Sequence, residues 1–177
     1  NFVLSVRNGD DVTVDGDMII EMNTANRGLR VEEGGHVLVK GTARFEGYGG
    51  SATQESVLVV GVLELQGGLV QTSRSGGTRG LRAGDILIEF TGAAVQEVSF
   101  ENPDYDESRL RNVRVREGAH VVLTTPMVVR DTVLVEAGAT LEGTALHVHN
   151  DFPQHFGTYD VDETRVVRTM NMSRDVR

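Results

Sequence analysis

Short stretches of alternating apolar and polar residues run along the chain, and most of them end at a glycine. An apolar residue, followed two positions later by Val and three positions after that by Gly, occurs at residues 4–9, 29–34, 113–118 and 133–138. A shortened copy occupies residues 57–61. Alternation with a period of two predicts strands that bury one face, and the glycine marks the tight corner after each strand.

The recurrence of one phrase predicts a β-solenoid, in which similar strand-and-corner units stack on one another. Leu4 and Leu29 lie 25 residues apart, and Val113 and Val133 lie 20 residues apart, a spacing within the range of solenoid repeats. The alternative is a β-sandwich, which also has many short strands joined by turns. Sandwich strands do not repeat one phrase, so the favoured fold is a single all-β domain, residues 1–177, folded as a parallel β-helix.

The spacing within the phrase predicts one narrow core, and the composition suits it. The two apolar positions of the phrase are separated by one residue, so both side chains face the same side of the strand. We therefore expect Val31, Val59, Val115 and Val135 to point into one continuous core. Apolar residues make up 39% of the chain but aromatic residues only 5%, with no Trp and no Cys. The absence of Cys excludes disulfides and thiolate metal sites, and no segment shows the periodicity and caps of a helix.

The charge argues against a nucleic-acid partner. The formal net charge is −9, Lys40 is the single lysine, and the arginines are spread along the sequence, whereas a phosphate backbone requires clustered cations. No apolar run reaches the length of a membrane span, so we expect no membrane insertion. The chain begins without an initiator Met or a signal peptide and ends in an interrupted strand pattern, so we expect it to be a segment of a larger protein.

Two adjoining copies of the phrase carry a resemblance to known proteins. Residues 113–123 and 133–141 resemble the repeats of bacterial surface and secreted β-solenoids, which are right-handed parallel β-helices such as autotransporter passengers, adhesins and polysaccharide-lyase-like proteins. The resemblance implies an extracellular or cell-surface location. It implies no particular activity, because adhesins and lyases share this architecture.

A histidine-rich segment near the C-terminus is the densest polar cluster. If residues 146–149 form a strand, His147 and His149 project from one face, and Asp151 and His155 could fold back from the loop that follows. Two imidazoles and a carboxylate could bind a divalent metal such as Zn²⁺, or a histidine could act as an acid or base. The alternative is a solvent-facing strand edge beside a loop that contains proline.

An acidic segment precedes one of the repeats. Asp104, Asp106 and Glu107 follow Glu101 closely, and carboxylates on one loop could bind Ca²⁺. The resemblance to pectate-lyase-like helices implies that such carboxylates could also bind substrate beside a basic residue, here Arg109. The glycine-containing pattern of a Ca²⁺ loop is missing, so the alternative is a solvated acidic loop.

Two classes of function fit these features. The first is a non-catalytic structural or adhesive module that presents its faces and loops to a protein or glycan partner, or self-associates through the solenoid ends. The second is a carbohydrate-active lyase or hydrolase, and a third reading is a domain that supports a neighbouring active site. The lack of Trp provides poorly for sugar stacking and favours the first. We expect no cofactor apart from calcium, and specificity in loops 48–56, 72–80 and 101–109, with Tyr48, Tyr105 and Arg109 as binding residues.

Overall fold

The chain is a parallel β-helix with three faces. The computed structural model describes residues 2–22, 27–48, 61–74, 76, 81–149, 154–155 and 157–166, and every strand ladder among them is parallel. A β-sandwich requires antiparallel pairs, so the ladders rule out that alternative. Within the described residues, no helix is long and apolar enough to cross a membrane.

Each turn of the helix, here called a coil, contributes one strand segment to each face. Face one contains the ladder of β1 (Phe2–Val6) and β4 (Arg27–Val31). Face two is built from β2 (Asp11–Val14), β5 (Gly35–Val39), β7 (Gly61–Leu65), β9 (Leu87–Phe90), β11 (Leu110–Val115), β13 (Met127–Val135) and β15 (Gln154–His155). Face three is built from β3 (Met18–Glu21), β6 (Ala43–Tyr48), β8 (Leu69–Arg74), β10 (Val95–Phe100), β12 (His120–Leu123), β14 (Thr140–Val148) and β16 (Thr158–Val166).

The long strands of the last coils turn the corner back onto face one. Residues 127–129 of β13 pair with residues 146–148 of β14, which pair in turn with the end of β16. An isolated parallel bridge between Arg82 and Arg109 belongs to the same face. Face one therefore continues beyond the β1–β4 ladder and carries residues 146–148, the beginning of the histidine-rich segment.

The interior is one apolar stack, as the alternation predicted. Val31, Val115 and Val135 are fully enclosed in a single core cluster, and Val59 lies outside the described residues. Their outward-pointing neighbours are polar in most coils, so each strand buries one side only.

The recurring phrase does not stack on itself throughout the chain. The copies at residues 4–9 and 29–34 lie on face one, where Leu4 pairs with Leu29, whereas those at 113–118 and 133–138 lie on face two, where Val113 pairs with Val133. The reason is that two different corners use the same signal, a glycine with positive φ after a strand: Gly9 and Gly34 at one corner, Gly118 and Gly138 at the other. A local phrase therefore predicts a strand and a corner but not which face they occupy.

The coils shorten along the chain. Val12 pairs with Val37, 25 residues later, but Val113 pairs with Val133, only 20 residues later.

Gln96 lies between these regions and is fully buried. Its side-chain amide donates to the carbonyl oxygens of Leu65 (2.7 Å) and Gly67 (2.9 Å) and accepts the N–H of Gly92 (2.9 Å). It thereby links the backbone of Leu65, Gly67 and Gly92 at a corner between two coils, although the Leu65 carbonyl also accepts the N–H of Thr91 (2.9 Å).

The first coil is less enclosed than the second. Val12 and Val14 are only partly buried, although Val37 and Val39, with which they pair, are fully buried. No other described residue stacks on the outer side of the first coil. The predicted self-association through the solenoid ends stays a prediction.

Replacement of Val115 by Asp tests the stacked core. A carboxylate in this position would be enclosed without a partner, so we expect the domain to lose at least about 4 kcal/mol of its free energy of unfolding. Chemical denaturation followed by circular dichroism measures this loss. The matched control is Ile19→Asp, because Ile19 also lies in a strand but points outward and is 55% exposed. Equal losses for the two variants would contradict the assigned inward and outward faces.

Candidate functional site

Two segments that are far apart in sequence meet on face one. Leu110 pairs with Val129 in the next coil, and Val129 pairs with Val148 in the coil after that. The loop that ends at β11 therefore lies two coils away from His147 and His149. The ring centroids of Tyr105 and His149 are 4.3 Å apart, with an angle of 31° between the ring planes. The structure thus joins the acidic and the histidine-rich segments, which the sequence presents as separate candidates, in one site.

The loop between β10 and β11 has its own backbone hydrogen bonds. The Ser108 N–H donates to the Asn102 carbonyl (3.2 Å), and the Asp104 N–H donates to the Ser108 carbonyl (3.2 Å). The Asp106 N–H donates to the Asp104 carboxylate (2.8 Å), and the Glu107 N–H donates to the Asp104 carbonyl (3.3 Å). These bonds hold the loop compact while Asp104 and Asp106 stay exposed at its tip.

Arg109 contacts both the backbone and the ring of Tyr105. It is only 6% exposed, its guanidinium donates to the Tyr105 carbonyl (2.6 Å), and its Cζ atom lies 5.0 Å from the centre of the Tyr105 ring. A cation over an aromatic face is attracted by the ring quadrupole. Arg109 therefore positions Tyr105, and its enclosure leaves little of the guanidinium accessible to a ligand.

His147, in β14, and His149, which directly follows β14, project outward from face one. The backbone N–H of His149 donates to the Val129 carbonyl (3.0 Å), which fixes the strand end to the preceding coil. The His147 Nε2 atom lies 3.8 Å from the Glu163 carboxylate of the following coil. Asp151 lies outside the described residues, and of His155 only the backbone, which pairs with Val135, is described.

Burial lowers the pKa of His149 below its usual value of 6.5. The positive charges of His147 and Arg109 lower it further, and the carboxylates of Asp104 and Asp106 act in the opposite direction. Because burial is the largest of these influences, the imidazole is neutral at neutral pH and can accept a proton or a hydrogen bond.

The structure also brings together arginines that are spread along the sequence. Arg82 lies directly beside Arg109 on face one. Arg130 comes one residue after Val129, at the corner between faces one and two, and this places its backbone next to His149 and Arg111. The local sequence patterns did not predict this grouping, because it depends on the position of each arginine in its coil.

Arg111 and Arg130 differ in their partners although they are neighbours. Arg111 forms ion pairs with Asp85 and Asp131. Arg130 is partly buried, its Nε atom is enclosed, and among the described residues that Nε has no hydrogen-bond acceptor.

No metal centre is formed by the described part of the chain. There, no group of three or more His, Asp or Glu side chains lies close enough to hold an ion. The proposed ligand set of His147, His149 and Asp151 includes a residue that is not described, and the calcium site at Asp104, Asp106 and Glu107 stays a prediction. Within the other expected specificity loops, residues 49–56, 75 and 77–80 lie outside the described residues, as does the side chain of Tyr48.

Comparison with protein-family models, with curated proteins and with solved structures finds no match to this chain. Its functional interpretation therefore depends on the geometry of the site.

Titration of His149 tests the electrostatics of the site. Because its pKa is lower in the folded than in the unfolded protein, the folded state is stabilised above pH 6.5, and this stabilisation is lost as the pH falls through the folded pKa. We expect His147→Gln to raise the pKa of His149 and Asp104→Asn to lower it, as followed by NMR of the imidazole C–H signals. His36→Gln on face two is the control and should leave it unchanged. A His149 pKa at or above 6.5 in the unaltered domain would contradict the described burial.

Proposed function

We propose that this domain is a non-catalytic module of a secreted or cell-surface protein and that it binds a glycan at the site on face one. The observation that carries the proposal is the packing of Tyr105 against His149 and Arg109, which holds a polar loop on a lateral face of the solenoid. A rigid scaffold that positions a loop is a common way to build a recognition site. The solenoid serves here as that scaffold.

The chemistry of the site favours a glycan over a protein partner. The accessible groups are the carboxylates of Asp104 and Asp106 and the imidazoles of His147 and His149, which can exchange hydrogen bonds with sugar hydroxyls. The centre of a protein interface is instead apolar. The exposed large apolar residues in the described part of the chain are Val3, Ile19 and Val95, and none of them belongs to this site.

The alternative of a carbohydrate-active enzyme has one observation in its favour. The neutral imidazole of His149 beside Tyr105 could remove a proton from a sugar, as a polysaccharide lyase requires. Arg109, the basic residue expected for a lyase, is enclosed and committed to the Tyr105 carbonyl. This enclosure supports the binding module over the enzyme.

A glycan array followed by calorimetric titration tests the proposal. We expect Tyr105→Ala to weaken binding of the best oligosaccharide by about tenfold or more, because it removes the ring that holds the loop. Val95→Ala on face three is the control and should bind as the unaltered domain does. Incubation with polyuronates should yield no unsaturated product. Cleavage that His149→Ala abolishes would establish the enzyme instead, and binding that tolerates Tyr105→Ala would place the site elsewhere.

A further inference from the structure

We propose that copies of this chain associate head to tail, with residues 167–177 of one copy lying along the open first coil of another. This contact does not involve the glycan site. It gives a structural form to the self-association through the solenoid ends that the sequence predicted. The inference comes from the outer side of the first coil, where none of its three strands has a described partner.

The three strands of the first coil are edge strands. Each of β1, β2 and β3 pairs with one described strand, which belongs to the second coil. Along β2, the Val14 carbonyl accepts the Lys40 N–H of the second coil (2.9 Å). Successive residues of a strand direct their N–H and carbonyl groups to opposite sides, so those of Thr13 point to the outer side. An open edge without Lys or Pro is a template for a further strand, and none of these three strands contains either residue.

The inward side chains of the first coil are not fully covered. Leu4, Val12 and Val14 pack against the core but are only partly buried. A further strand on the outer side would remove this apolar surface from water, and such burial is the main favourable contribution to most protein association. The edge therefore offers both backbone and apolar contacts to an added strand.

Gly16 is a glycine that no described neighbour requires. At the same corner of the next two coils, a Cβ atom on Gly41 would collide with Gly16, and one on Gly67 would collide with Gly41, so each of these glycines makes room for the coil before it. By the same geometry a Cβ on Gly16 would point to the outer side of the first coil. It would meet nothing within 4 Å, and the φ of Gly16 is not positive. A neighbour stacked on the outer side would account for this glycine.

The charge of the first coil selects the occupant. Residues 2–22 contain one Arg and five acidic residues, a net charge of −4. The last described strand, β16, exposes Asp160, Asp162 and Glu163, so a direct contact between the two ends of two copies would be repelled. Residues 167–177, which lie outside the described residues, contain three Arg and one Asp, a net charge of +2. They complement the acidic first coil.

The length of this segment places it on a second copy. The first and last described coils are six steps apart along face two, which is about 29 Å at about 4.8 Å a step. Residues 167–177 span at most about 40 Å when fully extended. Crossing the solenoid within one molecule would leave about 11 Å, or roughly three residues, which is shorter than β2. On a second copy, all of these residues are free to pair, and they are as many as residues 11–21, which run from β2 through the Gly16 corner to β3.

Sedimentation velocity of the full chain over a concentration series tests the association. We expect oligomers that grow with concentration, because a head-to-tail contact joins two different ends and leaves further ends open. High salt and Arg168→Glu should each shift the distribution toward monomer, since the contact joins opposite charges. A chain that stays monomeric at millimolar concentration and low salt overturns the proposal.

Thr13→Pro blocks the outer edge of β2. Proline lacks the N–H that an added strand needs, but it is tolerated on an edge strand whose N–H faces solvent, so the pairing of β2 with β5 should persist. We expect the association to weaken at least about tenfold. Thr13→Ala is the matched control, because it keeps the N–H, and it should associate as the unaltered chain does. Equal association of the two variants would contradict an added strand at this edge.

Gly16→Ala separates docking from folding. Because nothing lies within 4 Å of the added Cβ in a single copy, we expect the melting temperature of the dilute monomer to stay equal or rise, while the association weakens at least about tenfold. Gly41→Ala is the control and should lower the melting temperature, because its Cβ would collide with the first coil. Unchanged association of Gly16→Ala would contradict a neighbour at this corner.

A synthetic peptide of residues 167–177 identifies the occupant. Added in excess to the full chain, it should dissociate the oligomers and shift the backbone NMR signals of β2 and β3, whereas a scrambled peptide of the same composition should do neither. Oligomers that persist in excess peptide would show that another part of the second copy is the occupant and overturn the proposal. Glycan binding is measured separately at the Tyr105–His149 contact, so a failure here leaves the proposed function standing.

Discussion

The whole structure depends on the stacking of inward apolar side chains between successive coils. Parallel ladders place each coil directly above the one before it, and residues such as Val37, Leu63 and Ile88 pair rung by rung into one continuous column that excludes water. A shift of one residue would turn every buried side chain outward, so the register of each coil is fixed by the hydrophobic effect. The corners and loops need only close the chain from one face to the next.

This constraint also explains how the site forms. Neighbouring rungs of a ladder lie about 4.8 Å apart, so residues from separate coils become close neighbours once the register is set. The loop before β11 and the end of β14 are held two rungs apart, which is the distance that Tyr105 spans to reach His149. The scaffold determines the positions, and the loop residues, which contribute little to the core, determine the chemistry.

The sequence allowed the fold to be predicted better than the site. Alternation, glycine corners and repetition predicted a parallel solenoid with Val31, Val115 and Val135 inside. They did not reveal that the phrase occupies two faces, because the same positive-φ glycine serves two corners. The candidate residues Asp104, Tyr105, Arg109, His147 and His149 were recognised as two clusters, but their union needed the register.

The contact between the Tyr105 and His149 rings tests the central claim most directly. Because the chain contains three tyrosines and five histidines, nuclear Overhauser effects between assigned aromatic protons can be measured in solution without a ligand. A strong effect between these two rings is expected at neutral pH, in accordance with the 4.3 Å separation of their centroids. A well-folded domain that shows no such effect would contradict the account, since the loop would not lie on face one.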